Sequence, residues 1–437
     1  MKLELSINVK YLPEWGVWEG VRELVQNGKD AETEFSAALK VTHQNQTLRI
    51  ENEGAELPHE ALLFGTTTKA ERGDLIGKFG EGLKLGVLAL VRGGRPVKIR
   101  SGGEVWLPTI AKSEKFKADV LVFDIKGGNE PKKRVRVEIG GVTEVEWCDL
   151  RERFLFLATL KKDEKVETTY GWLLMGDRFK GKIYVKGIFV QHDSKLNYGY
   201  NFTDATVDRD RKMVASWEIS WKTGQIWRDA VGRRPDLFDA FYTLVEEGKD
   251  DVQGIDENTH VPDEIAQKAA QKFREKFGNS AVPVANLAES AEVEHLGAKG
   301  VVVPKSMGQI LAKAVGNGEA VRQKLREEVV KMFSWGDLVP ERQTNIQEAI
   351  ELLAAVYEPC KLERIDVVEF RSGSLAGQYK DSRILLAARI TDDPDETLRV
   401  LVHEFAHEFG KDGEKGHVNA IESLWRGIVK HLRARKS

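Results

Sequence analysis

Apolar and polar residues alternate at the start of the chain. In Met1-Lys2-Leu3-Glu4-Leu5-Ser6 the leucines fall at every second position, which predicts a strand and not a secretory leader. The period then lengthens, and residues 15–31 are expected to form one helix with Leu24 and Val25 on its packing face. Leu48-Arg49-Ile50-Glu51-Asn52-Glu53-Gly54 predicts a strand running into a turn, residues 83–91 a helix, and Asp119-Val120-Leu121-Val122-Phe123 a further strand. Residues 144–177 and 181–190 suggest strands with a connecting helix, and residues 214–276 are mostly helical in pattern. Short apolar runs mixed with glycine and proline over residues 278–305 suggest a small α/β insert or connector, and residues 305–330 are helical again. Strands are predicted at residues 364–370 and 383–387. A helix follows from Asp392-Asp393-Pro394-Asp395 to Gly410, with a second amphipathic run from His417. No repeat, coiled coil or low-complexity tract interrupts this order.

At 437 residues the chain exceeds one ordinary core, and its 41% hydrophobic content suffices for several. The pattern divides it into residues 1–145, a middle domain at 146–240, a helical and α/β connector at 241–330, and a last domain at 331–437. A net charge of -3 gives no bulk attraction to nucleic acid. Basic patches occur at Lys132-Lys133-Arg134 and in residues 426–436, without the aromatic interleaving of single-strand binders. Cys148 and Cys360 are far apart with no metal-ligand spacing, as expected in a reducing cytoplasm. No apolar run approaches the roughly twenty residues that span a bilayer.

Two regions carry candidate chemistry. Near the C-terminus, His403-Glu404-Phe405-Ala406-His407 places two imidazoles four residues apart on one helix face, so both reach one Zn²⁺. Glu404 can then act as base on a water at the metal. A third ligand is needed. His417 and Glu422 are the candidates; His417 is favoured because Gly410 and Gly413 let the chain turn back before it. Near the N-terminus, Glu23, Asn27 and Asp30 share a helix face, and such a polar row is costly to bury unless it binds something. A carboxylate that orients water, with an amide oxygen that can ligate Mg²⁺, suits phosphoanhydride hydrolysis. Phe64-Gly65-Thr66-Thr67-Thr68-Lys69 follows, then Gly77-Lys78-Phe79-Gly80-Glu81-Gly82-Leu83-Lys84, a glycine loop opening a helix whose exposed N–H groups suit phosphates.

That ordered set resembles the GHKL ATPases, which include gyrase B, MutL, histidine kinases and the ninety-kilodalton chaperones, over roughly residues 1–130. The resemblance implies a Bergerat α/β sandwich, a mixed sheet with helices on one face, binding ATP and Mg²⁺. It implies Glu23 as general base and Asn27 as the Mg²⁺ ligand. Asp30, the turn at Asn52 and Gly54, the lid at Thr67, Thr68 and Lys69, and the loop of Gly77, Lys78, Phe79, Gly80, Glu81, Gly82, Leu83 and Lys84 would contact nucleotide. Asn52 stands where the family has Asp, and its amide both accepts and donates, so base specificity loosens. Lys117-Ala118 replaces the family's Gly-Thr entry to the late strand. Arg209, Arg211 or Lys212 would sense the γ-phosphate, or the cluster is a solvated turn.

The last hundred residues resemble the minimal zincin metallopeptidase fold, including SprT-like proteins. The metzincin spacing would put a histidine at position 413, which is Gly413. The expected fold is therefore a multidomain α+β chain: a Bergerat sandwich, a middle α/β domain with a helical connector, and a zincin-like α+β domain. The function expected first is an ATP-regulated zinc metallopeptidase in which residues 383–387 align a protein or peptide substrate. The alternative is an ATP-gated clamp or chaperone, homodimeric with ATP, in which zinc is structural. A module acting on DNA or DNA-bound proteins is a third reading, tested by loss of binding at raised salt.

Overall fold

The alternating leucines at the N-terminus do form an edge strand, β1 (Lys2–Asn8), with Leu5 and Ile7 buried. The computed structural model describes residues 1–63, 81–129, 131, 133–205, 207, 215–256, 258–315 and 318–435. It is a mixed α+β chain of two compact units, Met1–Leu244 with Lys249–Ile255, and Val245–Gly248 with Asp256–Ser437.

In the first unit, α1 (Val17–Phe35) is followed by β2 (Leu39–Gln44) and β3 (Thr47–Glu53), then by α2 (Gly82–Arg92). Four strands come next: β4 (Val97–Ser101), β5 (Glu104–Ser113), β6 (Ala118–Gly127) and β7 (Arg134–Gly140). They form a seven-stranded sheet in the order β1-β6-β5-β4-β7-β3-β2. Every pairing is antiparallel, so the mixed sheet expected from the resemblance is corrected. Short turns join β2 to β3, β4 to β5 and β5 to β6, and two-residue to four-residue reversals of this kind give antiparallel neighbours.

The two helices pack in one apolar cluster with this sheet, through Val21, Leu24, Val25, Leu85 and Leu88 against Ile50, Ile99 and Phe123. They cross where both lack a side chain. A Cβ on Gly20 would lie 2.9 Å from the Gly86 carbonyl oxygen, and one on Gly86 would lie 3.0 Å from that of Gly20. Glycine at these positions lets the backbones approach this closely.

The rest of the unit holds α3 (Glu144–Glu152), β8 (Lys165–Thr168), β9 (Gly171–Leu174), β10 (Lys182–Val185), β11 (Ile188–His192) and β12 (Gly199–Phe202), then α4 (Ser216–Arg233). The five strands make a second sheet, β11-β10-β12-β9-β8, with β10 and β12 parallel. A fully buried carboxylate ties this region together. Asp251 accepts hydrogen bonds from the main-chain N–H groups of Asn197 and Tyr198 and from the Tyr200 hydroxyl. The Trp227 indole N–H in turn donates to the Tyr200 oxygen at 2.9 Å. Such a carboxylate is tolerable in a core because its lone pairs are satisfied.

Helix α5 (Phe238–Glu246) straddles the division at Leu244, and α6 (Asp263–Phe277) is the first helix wholly within the second unit. A small β-α-β element follows: β13 (Ala281–Val284), α7 (Leu287–His295) and β14 (Lys299–Val302), the strands parallel. Helices α8 (Lys305–Val315) and α9 (Gly318–Arg326) come next. The helical pattern expected to reach residue 330 ends earlier, because β15 (Val329–Phe333) is an edge strand paired with β16 (Ile365–Phe370). Paired β-branched Val329 and Val330 favour that extended conformation. The last sheet runs β15-β16-β18-β17, with β17 (Gly377–Lys380) and β18 (Arg383–Ala387). Three helices complete the unit: α10 (Pro340–Ala354), α11 (Pro394–Ala406) and α12 (Lys415–Arg435). They share one core with the sheet, in which Ile346, Leu353, Val368, Leu386, Leu401, Phe405 and Leu424 are buried.

Candidate functional site

The acidic start of α11 is a capped helix terminus. The Asp393 carboxylate accepts from the main-chain N–H groups of Asp395 and Glu396 at 2.9 and 3.0 Å, and Pro394 occupies the first helical position. From that start the helix delivers His403 and Glu404 in its last turn, and His407 opens a single 3₁₀ turn, His407–Phe409. A salt bridge of Glu408 with Arg364, and a Tyr357 hydroxyl donating to Glu408 at 2.7 Å, fasten that turn to the rest of the unit. The same hydrogen bond, with burial, pushes the Tyr357 phenol up to about 12.

The chain then reverses, and α12 brings back His417, which is 2% exposed. Ring centroids lie 4.4 Å apart for His407 and His417, 4.8 Å for His403 and His417, and 5.1 Å for His403 and His407. Asp412 joins them. Its Oδ1 lies 3.2 Å from His403 Nε2, 3.7 Å from His407 Nε2 and 3.8 Å from His417 Nε2. One ligand atom from each of the four residues falls within 4.8 Å of all the others. A tetrahedral zinc site has ligand atoms about 3.4 Å apart, so a small inward adjustment would seat an ion. His407 Nδ1 lies 3.2 Å from the Gly410 carbonyl oxygen, which accepts its proton and leaves Nε2 as the donor atom toward the centre. Glu422, the other candidate third ligand, is exposed on α12 and outside this group.

Glu404 stands beside the group, with Oε2 3.9 Å from His407 Nε2 and only 6% exposed. Burial pushes its carboxyl up to about 7; the Tyr379 main-chain N–H opposes this and the Asp412 charge adds to it. Burial likewise pushes His403 below the usual imidazole range, against the pull of Asp412. Strand β17 lies directly over this carboxylate. A Cβ on Gly377 would come 2.9 Å from Glu404 Cγ and 2.8 Å from Val400 Cγ1. Residues 383–387, expected to align a peptide, form β18, which pairs with β16 on one side and β17 on the other. A strand paired on both sides has no main-chain groups to offer, so the edge beside the site is β17.

In the first unit, Glu23 is 2% exposed and Asp30 1%, while Asn27 is half-buried. Arg22 Nε and Nη2 donate to Glu23 Oε1 at 3.2 and 3.1 Å. A Cβ on Gly82 would lie 2.3 Å from Glu23 Oε2, so the carboxylate sits against the first residue of α2. Asn52 is buried, and its amide donates to the carbonyl oxygens of Gly28 at 2.9 Å and Ala37 at 2.8 Å. Both amide protons are thereby engaged, and Oδ1 is the group left to accept. Gly54 takes a left-handed φ of 99° in the turn after β3. Glu81 is the N-cap residue of α2, and Leu83 is half-buried in its first turn. Lys84 is fully buried, its Nζ donating to the Ala61 and Leu63 carbonyl oxygens at 3.1 and 2.6 Å, and burial lowers its pKa. Thr67, Thr68, Lys69, Gly77, Lys78, Phe79 and Gly80 lie outside the described residues, as do Arg209, Arg211 and Lys212.

No family model and no curated protein matches this chain. Among solved structures, the ATPase region of Saccharomyces cerevisiae topoisomerase II bound to ICRF-187 (dexrazoxane) is similar at 11% identity and a TM-score of 0.27. The overlap covers 40% of this chain and 62% of that one, so less than two thirds of that region is spanned. So slight a likeness assigns no activity, and the chemistry rests on the residues themselves.

The sequence reading missed Asp412, Gly377 and Tyr379. Asp412 carried one signal, a carboxylate between Gly410 and Gly413 in the loop joining two expected ligands. Gly377 and Tyr379 carried none, since β17 is only four residues long. Among the described residues no helix is long and apolar enough to cross a membrane.

Proposed function

We propose that this chain is a nucleotide-dependent zinc metallopeptidase, with a GHKL-type ATP site in the first unit and a hydrolytic metal site in the second. The observation that carries the reading is the convergence of His403, His407 and His417 beside the buried Glu404. A zinc ion held by the three imidazoles would supply Lewis acidity to a peptide carbonyl and to water. Glu404 would take a proton from the attacking water and pass it to the leaving amine. An extended substrate would add to the free edge of β17 by main-chain hydrogen bonds, which places its backbone beside Glu404.

In the first unit, Glu23 would orient the attacking water, Asn27 would ligate Mg²⁺, and the start of α2 would receive phosphate oxygens. The acceptor Oδ1 of Asn52 suits an amino-bearing base, which favours adenine. Residues 1–145 would form the ATP domain, residues 146–240 a transducer, residues 241–330 a connector and residues 331–437 the peptidase domain, the whole acting as a homodimer when ATP is bound.

The first experiment is metal content by elemental mass spectrometry. Wild type should carry about one zinc per chain and His403→Ala almost none; equal content in both would sink the reading. ATP turnover should vanish in Glu23→Ala, and peptidase activity indifferent to ATP and to that substitution would remove the coupling. A second reading has its own support. Asp412 completes a four-residue set, and closed four-ligand sites are typically structural. An ATP-gated clamp with structural zinc would retain its biological function in Glu404→Gln.

A further inference from the structure

Asp412 is the one member of the four-residue group that no helix holds. It is 73% exposed and sits in the loop between His407 and His417, flanked by Gly410 and Gly413. Gly413 has a left-handed φ of 80° with open space around its Cα, and a Cβ on Gly410 would press within 2.9 Å of Glu414 Oε2 and 3.2 Å of the His417 main-chain nitrogen. The loop therefore depends on both glycines to bring a carboxylate inward. That carboxylate faces the Nε2 atoms of all three histidines at 3.2 to 3.8 Å, where a fourth ligand would stand. The imidazoles come from helical turns, whereas Asp412 is exposed in a loop between two glycines.

Resting on the metal reading above, we propose that Asp412 is a displaceable fourth ligand that keeps the metal site closed, and that its departure opens the position water must occupy for hydrolysis. A closed four-ligand set and an open three-ligand set correspond to inert and hydrolytic zinc. The two states of this loop would thus switch the site.

The test uses the full chain loaded with Co²⁺. In Asp412→Cys, a thiolate at position 412 that coordinates the ion gives a sulfur-to-cobalt charge-transfer band absent from wild type; one bound Co²⁺ without that band overturns the proposal. In Asp412→Ala, bound Co²⁺ should relax bulk water protons several-fold more than in wild type, and equal relaxation would show that wild type is already open. At equal zinc content, Asp412→Ala should cleave unfolded β-casein several-fold faster than wild type. A slower or unchanged rate would make Asp412 a fixed ligand and remove the switch. Failure of wild type to bind Co²⁺ at all would overturn the metal reading together with the proposal.

Discussion

The two units treat their clustered polar groups differently. In the second, four side chains from a fifteen-residue stretch, 403–417, point at one another and at a shared centre. In the first, the polar groups come from α1, β3 and α2, and two of them hold the main chain: Asn52 bonds Gly28 and Ala37, and Lys84 bonds Ala61 and Leu63. Three imidazoles and a carboxylate that converge on one centre could hold a cation, because imidazoles packed together gain little from each other. In the first unit the Asn52 amide and the Lys84 ammonium instead brace backbone carbonyls brought in from other segments. Asn52 and Lys84 thus hold the main chain around the N-terminal motifs, whereas the four C-terminal side chains are gathered on one another.

The largest effect is expected in the stability of the metal-free protein against pH. The Glu404 carboxyl is pushed from 4.5 up to about 7 by burial. A group with a raised folded pKa favours the native state while protonated. Its contribution is full below about 4.5 and lost as pH rises to about 7. Over that window the wild type should lose about 3 kcal/mol relative to Glu404→Gln. Parallel pH profiles from denaturant titrations of the two would show that Glu404 is not buried as described.

Next in size is the helix crossing of the first unit. Gly20→Val puts methyl groups against the Gly86 carbonyl and Leu90, and should cost about 1–3 kcal/mol in chemical denaturation. An unchanged midpoint would mean that the helices do not approach this closely. Asn52→Asp replaces an amide that donates twice by a buried carboxylate that cannot, removing both bonds and setting a negative charge against the Gly28 and Ala37 carbonyls. A loss of about 1–3 kcal/mol is expected, even with ATP absent. If the loss appears only as weaker nucleotide binding, Asn52 belongs to the ligand and not to the scaffold. The smallest effect is expected from the helix cap. Asp393→Ala should cost about 1 kcal/mol and leave metal content unchanged. Loss of metal in that variant would show that the cap positions His403 as well as stabilising α11.

Sequence by itself determined the local elements and the local chemistry. Alternation predicted β1 and β3, the helical period predicted α1, α2 and α11, and the four-residue histidine spacing placed two rings on one face, because these depend only on backbone repeat. His417 was legible as a candidate through the glycines before it, though spacing alone did not separate it from Glu422. The tertiary structure decided what spacing cannot encode. It made the first sheet antiparallel, turned β18 into an interior strand, and set β17 over Glu404. It brought Asp412 to the histidines and buried Lys84 against two carbonyls. Each of these depends on which segments meet when the chain turns back on itself. Such meetings are settled by packing and by the satisfaction of buried polar groups, neither of which has a period along the sequence.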